Sequence, residues 1–395
     1  MVVTAPHIQN YIQRSSWIRK MFETGAELKA RHGADAVCDF SLGNPDLAPP
    51  EEVFSALEQL ARRDQRFGYM PNSGYPEARE ALAAFLSREQ GVVVSAQDVI
   101  LTCGAAGALN SVFRAVLEPG DEVLCPAPYF VEYGFYAENF GGRLTPVPGR
   151  PGDFSLDLDA VGQAIGPKTR VVLINSPHNP TGRVYTEDEL RALVAVMAAK
   201  SKEFGRDILL IADEPYRFLT YDGVVVPSLL PLYPATVVVS SFSKSLGLAG
   251  ERIGYALVNP AMPGRQDLLA GLVLTNRILG FVNAPAVGQR LMQRALGARV
   301  DVSVYGRRRQ AMVEALEGAG ITFFMPQGAF YFFPLAPGGD DLAFVQALQQ
   351  ELILAVPGRG FGFPGYFRLA FCVDEAVIRR SAPGFKRAAA VFRNT

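Results

Sequence analysis

The chain has 395 residues, enough for two or three domains with a substantial core, and 38 Lys+Arg against 39 Asp+Glu leave a formal charge of -1. Hydrophobic residues at 49% and charged residues at 19% make an ordinary globular composition. The balanced charge gives no electrostatic case for nucleic acid or an anionic membrane surface.

No apolar run is long enough to span a bilayer, and residues 1–10 lack the charged-then-apolar pattern of a secretory leader. Cys38, Cys103, Cys125 and Cys372 are scattered without a Cys-x-x-Cys pair, which fits a reducing cytoplasm. His7, His32 and His178 show no paired spacing, so no zinc or iron site is expected. The Gly-x-Ser-x-Gly elbow of serine hydrolases is absent.

In chain order, residues 1–31 read as partly helical, with Ile12, Trp17, Ile18, Met21 and Phe22 giving an apolar face. Val37–Asp46 reads as a short strand ending in a turn, and a helix over Glu51–Arg62 follows two prolines. Phe67–Pro76 is a loop of turn formers with three aromatic rings. Apolar runs then alternate with helical stretches: Val99–Thr102, Glu122–Cys125, Val171–Asn175, Ile208–Ala212, Thr236–Ser240 and Gly254–Val258. Runs apolar at nearly every position predict strands buried on both faces, hence an α/β fold with a mostly parallel sheet sandwiched by helices. Beyond about Val287 the character changes. Amphipathic helices over Ala286–Leu296 and Val302–Leu316 lead into apolar stretches Phe323–Leu335, Leu352–Val356 and Tyr366–Cys372. The expected division is a small α+β domain from residues 1–48 and 287–395, and a large domain from 49–286.

In an open α/β sheet, ligands bind beyond the carboxyl ends of the strands, so the residues after each run matter. Gly104-Ala105-Ala106 opens a helix, where free backbone N–H groups suit a phosphate, although a plain turn accounts for it equally. Tyr129, Phe130 and Tyr133 place rings at the next strand end, as a stacking face or a core cluster. Asn175–Gly182, with two prolines, makes a rigid loop that aims the Asn179 amide inward. Asp213 ends a buried strand and needs a partner, because an isolated buried charge is expensive. A pyridinium N–H would serve, with Tyr216 close by; a Mg²⁺-binding aspartate would instead want a P-loop, which is missing.

The last such stretch, Val237–Arg252, carries Ser241, Ser243, Lys244 and Arg252. Desolvation turns a lysine into a nucleophile for carbonyl compounds, and hydroxyls with an arginine hold phosphate. An aldehyde carrying a phosphate describes pyridoxal 5′-phosphate (PLP). A solvated lysine at a strand end is the competing reading of this stretch alone. Val356–Gly362 tempts a phosphate-loop reading, but it follows no βαβ fingerprint and reads as packing.

Together these motifs resemble the fold-type I PLP enzymes, specifically the class I/II aminotransferases of the aspartate aminotransferase superfamily. The carriers are Gly104-Ala105-Ala106, Pro128–Tyr133, Asn175–Gly182, Asp213–Tyr216, Ser241–Lys244 and Gly250–Gly254, and the likeness runs from Gly43 to Arg368. The resemblance implies a seven-stranded sheet, with Lys244 holding PLP covalently and later shuttling a proton. It pairs Asp213 with the pyridine nitrogen, and Asn179 and Tyr216 with the phenolate oxygen. Phe130 would stack on the ring, with Tyr129 as the neighbouring choice. Gly104, Ala105, Ala106, Ser241, Ser243 and Arg252 would surround the phosphate. Tyr69 would reach that phosphate across a homodimer interface. Arg368 and the Gly43 backbone would bind the substrate α-carboxylate, with Asn179 beside them.

The implied reaction is ping-pong transfer of an amino group from an L-amino acid to a 2-oxo acid such as 2-oxoglutarate or pyruvate. A PLP-dependent β-lyase, decarboxylase or synthase would use the same constellation. A PLP-binding regulator would carry a winged helix-turn-helix ahead of this domain, and Gly43 falls early for that. Dicarboxylate-specific relatives supply a basic residue where this chain has Ala106, or upstream of Asn283-Ala284-Pro285, where counting gives Ile278 and its neighbour Arg277.

Overall fold

Residues apolar on both sides of a strand have only one use in water, which is to sit between two layers. In the computed structural model, which describes residues 3–14, 16–62 and 66–392, the six expected runs become strands of one sheet. Strands are numbered along the chain: β1 (Cys38–Asp39), β2 (Val99–Cys103), β3 (Glu122–Ala127), β4 (Arg143–Pro148), β5 (Thr169–Asn175), β6 (Leu209–Asp213), β7 (Thr236–Ser241), β8 (Ile253–Val258), β9 (Tyr331–Phe332), β10 (Ile353–Leu354), β11 (Val356–Pro357) and β12 (Phe367–Ala370). The seven-stranded sheet runs β2-β8-β7-β6-β5-β3-β4; β8 is antiparallel to both neighbours and the other pairs are parallel.

Alternate residues of each strand feed two separate cores. Leu101, Leu124, Val172, Leu210, Val238 and Leu257 face one layer, which includes the helices Glu51–Leu60, Pro76–Gln90, Glu187–Phe204 and Ala286–Ala295. Ile100, Val123, Val171, Ile211, Val239 and Ala256 face the other, with the helices Gly104–Val116 and Arg265–Ile278.

The seventh strand, β4, is absent from the sequence reading. It lies at the sheet edge, carries Pro146 and Pro148, and buries only Val147, so it offers no apolar run. Edge strands tolerate proline because one side of the ladder is unpaired.

A further core forms around the helices Val302–Gly318, Asp341–Gln350 and Glu375–Val391 with β9, β10 and β12. The N-terminal segment enters it through Cys38 and Phe40, with β1 parallel to β10 and the Ala370 N–H donating to the Phe40 carbonyl at 2.8 Å. The helix Ala286–Ala295, grouped by sequence with this part, instead packs Leu291, Met292 and Ala295 beneath the large sheet. The apolar face expected from Trp17, Ile18, Met21 and Phe22 lies outside the residues whose side chains are described. Among the described residues, no helix is long and apolar enough to cross a membrane, and no His/Cys/Asp/Glu group could hold a metal ion.

Candidate active site

The loops at the carboxyl ends of β2, β3, β5, β6 and β7 converge on a cavity of about 460 Å³. Its wall holds Ala105, Ala106, Phe130, Asn179, Asp213, Tyr216, Ser241, Ser243, Lys244 and Arg252 from the large sheet's loops, together with Gly43 from the segment after β1 and Arg368 from β12. Twelve expected site residues thus meet in one place, although Gly43 and Arg368 lie far apart in sequence.

Lys244 follows β7, whose six residues are all buried, so the chain delivers its side chain into the interior. Its Nζ donates to the Gly43 carbonyl at 2.8 Å and sits 5.5 Å from the centre of the Phe330 ring. Burial lowers its pKa to about 8, and the cations Arg252 and Arg368 push the same way. The thiol of Cys372 opposes this little, because burial moves its own pKa up to about 12 and leaves it neutral.

Asp213 ends β6 in register with Asn175 of β5. The Tyr133 hydroxyl donates to its Oδ2 at 2.5 Å, whereas its buried Oδ1 has no partner. Burial raises the carboxyl pKa to about 7; Tyr133 pulls it down and neighbouring Glu214 adds to the rise. A lone buried carboxylate oxygen is the kind of group that a donor must satisfy.

Asn179 is held by its own backbone N–H, which donates to Asn175 Oδ1 at 2.7 Å. Its Oδ1 accepts from Arg368 Nη1 at 3.3 Å. Arg368 also donates from Nη2 to the Ser41 carbonyl at 2.7 Å, and its guanidinium lies 5.0 Å from the Tyr331 ring and 4.8 Å from that of Phe361. Aromatic faces and carbonyls hold the fork in place while its buried Nε stays unpartnered. The Tyr216 and Tyr331 hydroxyls are 2.7 Å apart.

At the other end, Gly104 takes φ +70° and opens the helix Gly104–Val116. A Cβ there would lie 2.8 Å from Arg252 Nη2, so only glycine lets the guanidinium reach the turn. Arg252 itself has φ 51°, a left-handed conformation that costs a non-glycine residue free energy. With Ser241 and Ser243 beside them, the helix end and guanidinium make an anion-binding corner.

Two expected residues stand elsewhere. Tyr129 donates its N–H to the Phe361 carbonyl at 3.0 Å and its ring packs beside Gly362, so Phe130 is the ring on the wall. Tyr69 is 98% exposed and is not among the residues that line its own chain's cavity. Arg277 and Ile278 are exposed on the helix Arg265–Ile278 and do not line the cavity. His178 is buried, shares a hydrogen bond with Thr181 Oγ1 at 2.8 Å, and is held neutral by burial with its pKa near 3.

Sequence reasoning missed Ser41, Tyr331, Phe361, Glu132 and Tyr136 on the wall. Tyr331 sits in the run Phe330–Phe333, whose composition reads as core. Phe361 belongs to the stretch set aside as packing, and it does pack, with its ring on Arg368.

The family model for aminotransferase class I and II matches residues 35–383. The chain belongs to this family. The aminotransferase is 31% identical to an aspartate/prephenate aminotransferase of Thermus thermophilus, over 90% of this chain and 92% of that one. It is 32% identical to an aspartate aminotransferase of Geobacillus stearothermophilus, over 89% and 90% of the two chains. Among solved structures, an amino transferase from Eubacterium rectale aligns with a TM-score of 0.95 at 38% identity, covering 100% of both chains. Thermus thermophilus aspartate aminotransferase aligns at 0.87 and 28% identity, covering 98% of this chain and 100% of that one. The aminotransferase is therefore a transaminase of amino acid metabolism, in a family that generally depends on PLP, and its reaction is amino-group transfer.

Proposed function

We propose that this aminotransferase holds PLP on Lys244 and uses it to move the amino group of an L-amino acid to a 2-oxo acid. The observation that carries the reading is the unpartnered, buried Oδ1 of Asp213 in the cavity that also holds Lys244. A pyridine N–H is a donor of the right kind for it, and a cationic ring nitrogen would restore Asp213 to its ionised form. The corner of Gly104, Ala105, Ala106, Ser241, Ser243 and Arg252 offers donors for the phosphate. Asn179, whose Nδ2 has no partner among the described residues, and Tyr216 supply donors for the phenolate oxygen. Phe130 supplies a face for the ring.

When bound, the cofactor supplies an electron sink for the charge left at the substrate's Cα. The protein's part is positional and acid–base. Arg368 clamps the α-carboxylate with help from the Gly43 backbone and Asn179. Lys244, an amine whose pKa lies near working pH, takes the proton from Cα and returns one on the other side of the transfer.

Tyr69 supports a homodimer with shared sites, because a fully exposed ring on a turn-rich loop is available to a second copy. A cytoplasmic location fits four free cysteines. We place the limit of the small domain after the helix Ala286–Ala295, near Val300, where the chain re-enters the core built around the C-terminal helices. The relatives' names speak of aspartate and prephenate, but the cations on this wall are Lys244, Arg252 and Arg368 among the described residues, and each already has a task.

The test is spectroscopic and chemical. Protein loaded with PLP should show a visible absorption band that borohydride removes, with the label mapped to Lys244. Lys244→Ala should keep its circular dichroism and lose turnover by many orders. Near-normal transamination by that variant, or colourless protein that ignores added PLP, overturns the reading.

A further inference from the structure

Five charged side chains line the cavity among the described residues: Glu132, Asp213, Lys244, Arg252 and Arg368. The proposed reaction uses four of them. Glu132 is left over, and it is the wrong sign for a 2-oxo dicarboxylate. It begins the short helix Glu132–Glu138, is half-buried, and has no hydrogen bond or ion pair among the described residues. Burial alone raises its pKa, and no cation among the described residues counters it. Its neighbours along the chain on the wall, Phe130, Val131, Tyr133 and Tyr136, carry no positive charge. The Tyr136 hydroxyl, on the same wall, feels Glu132 as well as Asp213 and Arg252, so Glu132 shares this cavity with the groups at the reacting end.

We propose that Glu132 sets donor specificity, selecting amino acids whose side chain ends in a cation such as an ω-ammonium or guanidinium. The proposal rests on the reading that Arg368 takes the α-carboxylate. With that end fixed, the distal end of the substrate meets the rest of the wall. A second carboxylate there is repelled by Glu132, and a neutral end leaves Glu132 desolvated without compensation. A cation pairs with it in a partly water-excluded site, where opposite charges attract more strongly than at an exposed surface.

Three five-carbon carboxylates that lack an α-amine separate the cases: 5-aminopentanoate, pentanoate and glutarate. Their dissociation constants for the PLP-loaded protein are measured by calorimetry, with Glu132→Gln, Glu132→Lys and Arg368→Ala alongside. The wild-type protein should bind 5-aminopentanoate about tenfold or more tighter than glutarate, a preference in the range of a partly buried ion pair. Glu132→Gln should bring the three together, and Glu132→Lys should invert the order. Steady-state rates should agree, with Glu132→Gln raising KM for lysine or ornithine more than it lowers kcat. Preferred binding of glutarate by the wild type, or an order that Glu132→Gln leaves intact while Arg368→Ala abolishes binding, overturns this proposal alone. Binding of all three that is indifferent to Arg368→Ala overturns the α-carboxylate reading and this proposal with it.

Discussion

At the scale of single residues, the depressed pKa of Lys244 makes a kinetic claim. The neutral amine attacks an aldehyde, so capture of PLP by the cofactor-free protein should speed up as pH rises toward about 8 and level off above it. Stopped-flow absorbance checks this; a midpoint near the ordinary lysine value of about 10.4 would deny the burial effect. Gly43 makes a steric claim. A Cβ there would collide with the Tyr331 hydroxyl, which is bonded to Tyr216, while the Gly43 carbonyl accepts from Lys244. Gly43→Ala should therefore disturb three wall groups at once and lower kcat/KM by about 10²-fold, the cost of a small misplacement in a tight site. The meeting of Lys244, Asp213 and Asn179 on one cavity wall was legible because each follows an apolar run in a residue pattern that simple turns do not need. Tyr331 was not. Its role comes from a hydroxyl 115 positions away in the chain, and no local pattern records that.

At the scale of elements, the interior strands were readable and the edge was not. A strand covered on both faces announces itself by unbroken apolarity, whereas β4 is half solvated and looks like a loop. The segment after β6 shows how charge is stowed beneath the sheet ends. Buried Glu214 accepts from Gln90 Nε2 at 2.8 Å and pairs with Arg217 at 3.1 Å, beside a second cavity of about 420 Å³ that Glu89 also lines. Burial pushes Glu89 up to about 7, with Arg217 restraining it and Glu214 adding to the rise; burial raises Glu214 as well, again against Arg217. Removing the arginine leaves that charge uncompensated, and Arg217→Ala should cost about 3–5 kcal/mol near neutral pH. The sign of the pH dependence follows. Carboxyls whose folded pKa exceeds the unfolded value of about 4.3 bind more protons when folded. The variant's deficit should thus shrink as pH falls from 8 toward 5, as urea unfolding would measure. A deficit that grows on acidification would contradict this account.

At the scale of the whole molecule, the proposed shared-site dimer carries its own test. Tyr69→Ala and Lys244→Ala each damage a site, but they damage different sites when each pocket borrows Tyr69 from the neighbouring copy. Refolding the two variants together at equal amounts should restore about one quarter of the wild-type sites. Half of the dimers are then mixed, and each mixed dimer has one intact pocket. Recovery no greater than the sum of the separate variants would mean that Tyr69 serves no site across an interface. The change of sequence character near residue 287 comes one helix before Val300, where we place the limit of the small domain. Amphipathicity marks that helix as packed and is silent on which core it packs against.

The pairing of β1 with β10, and of Phe40 with Ala370, has a consequence for how the protein is made. Val37, Cys38 and Phe40 leave the ribosome some 330 residues before the strands that cover them. At typical rates of translation this is a wait of roughly 15–70 s. The seven-stranded sheet can close during that interval, since its last strand ends at Val258. The wall that carries Gly43 and Arg368 cannot. On the roles proposed for Lys244, Gly43 and Arg368, a nascent chain can therefore present the lysine and the anion-binding corner before it has any means of recognising an amino acid. Cofactor capture is open to it earlier in synthesis than catalysis is.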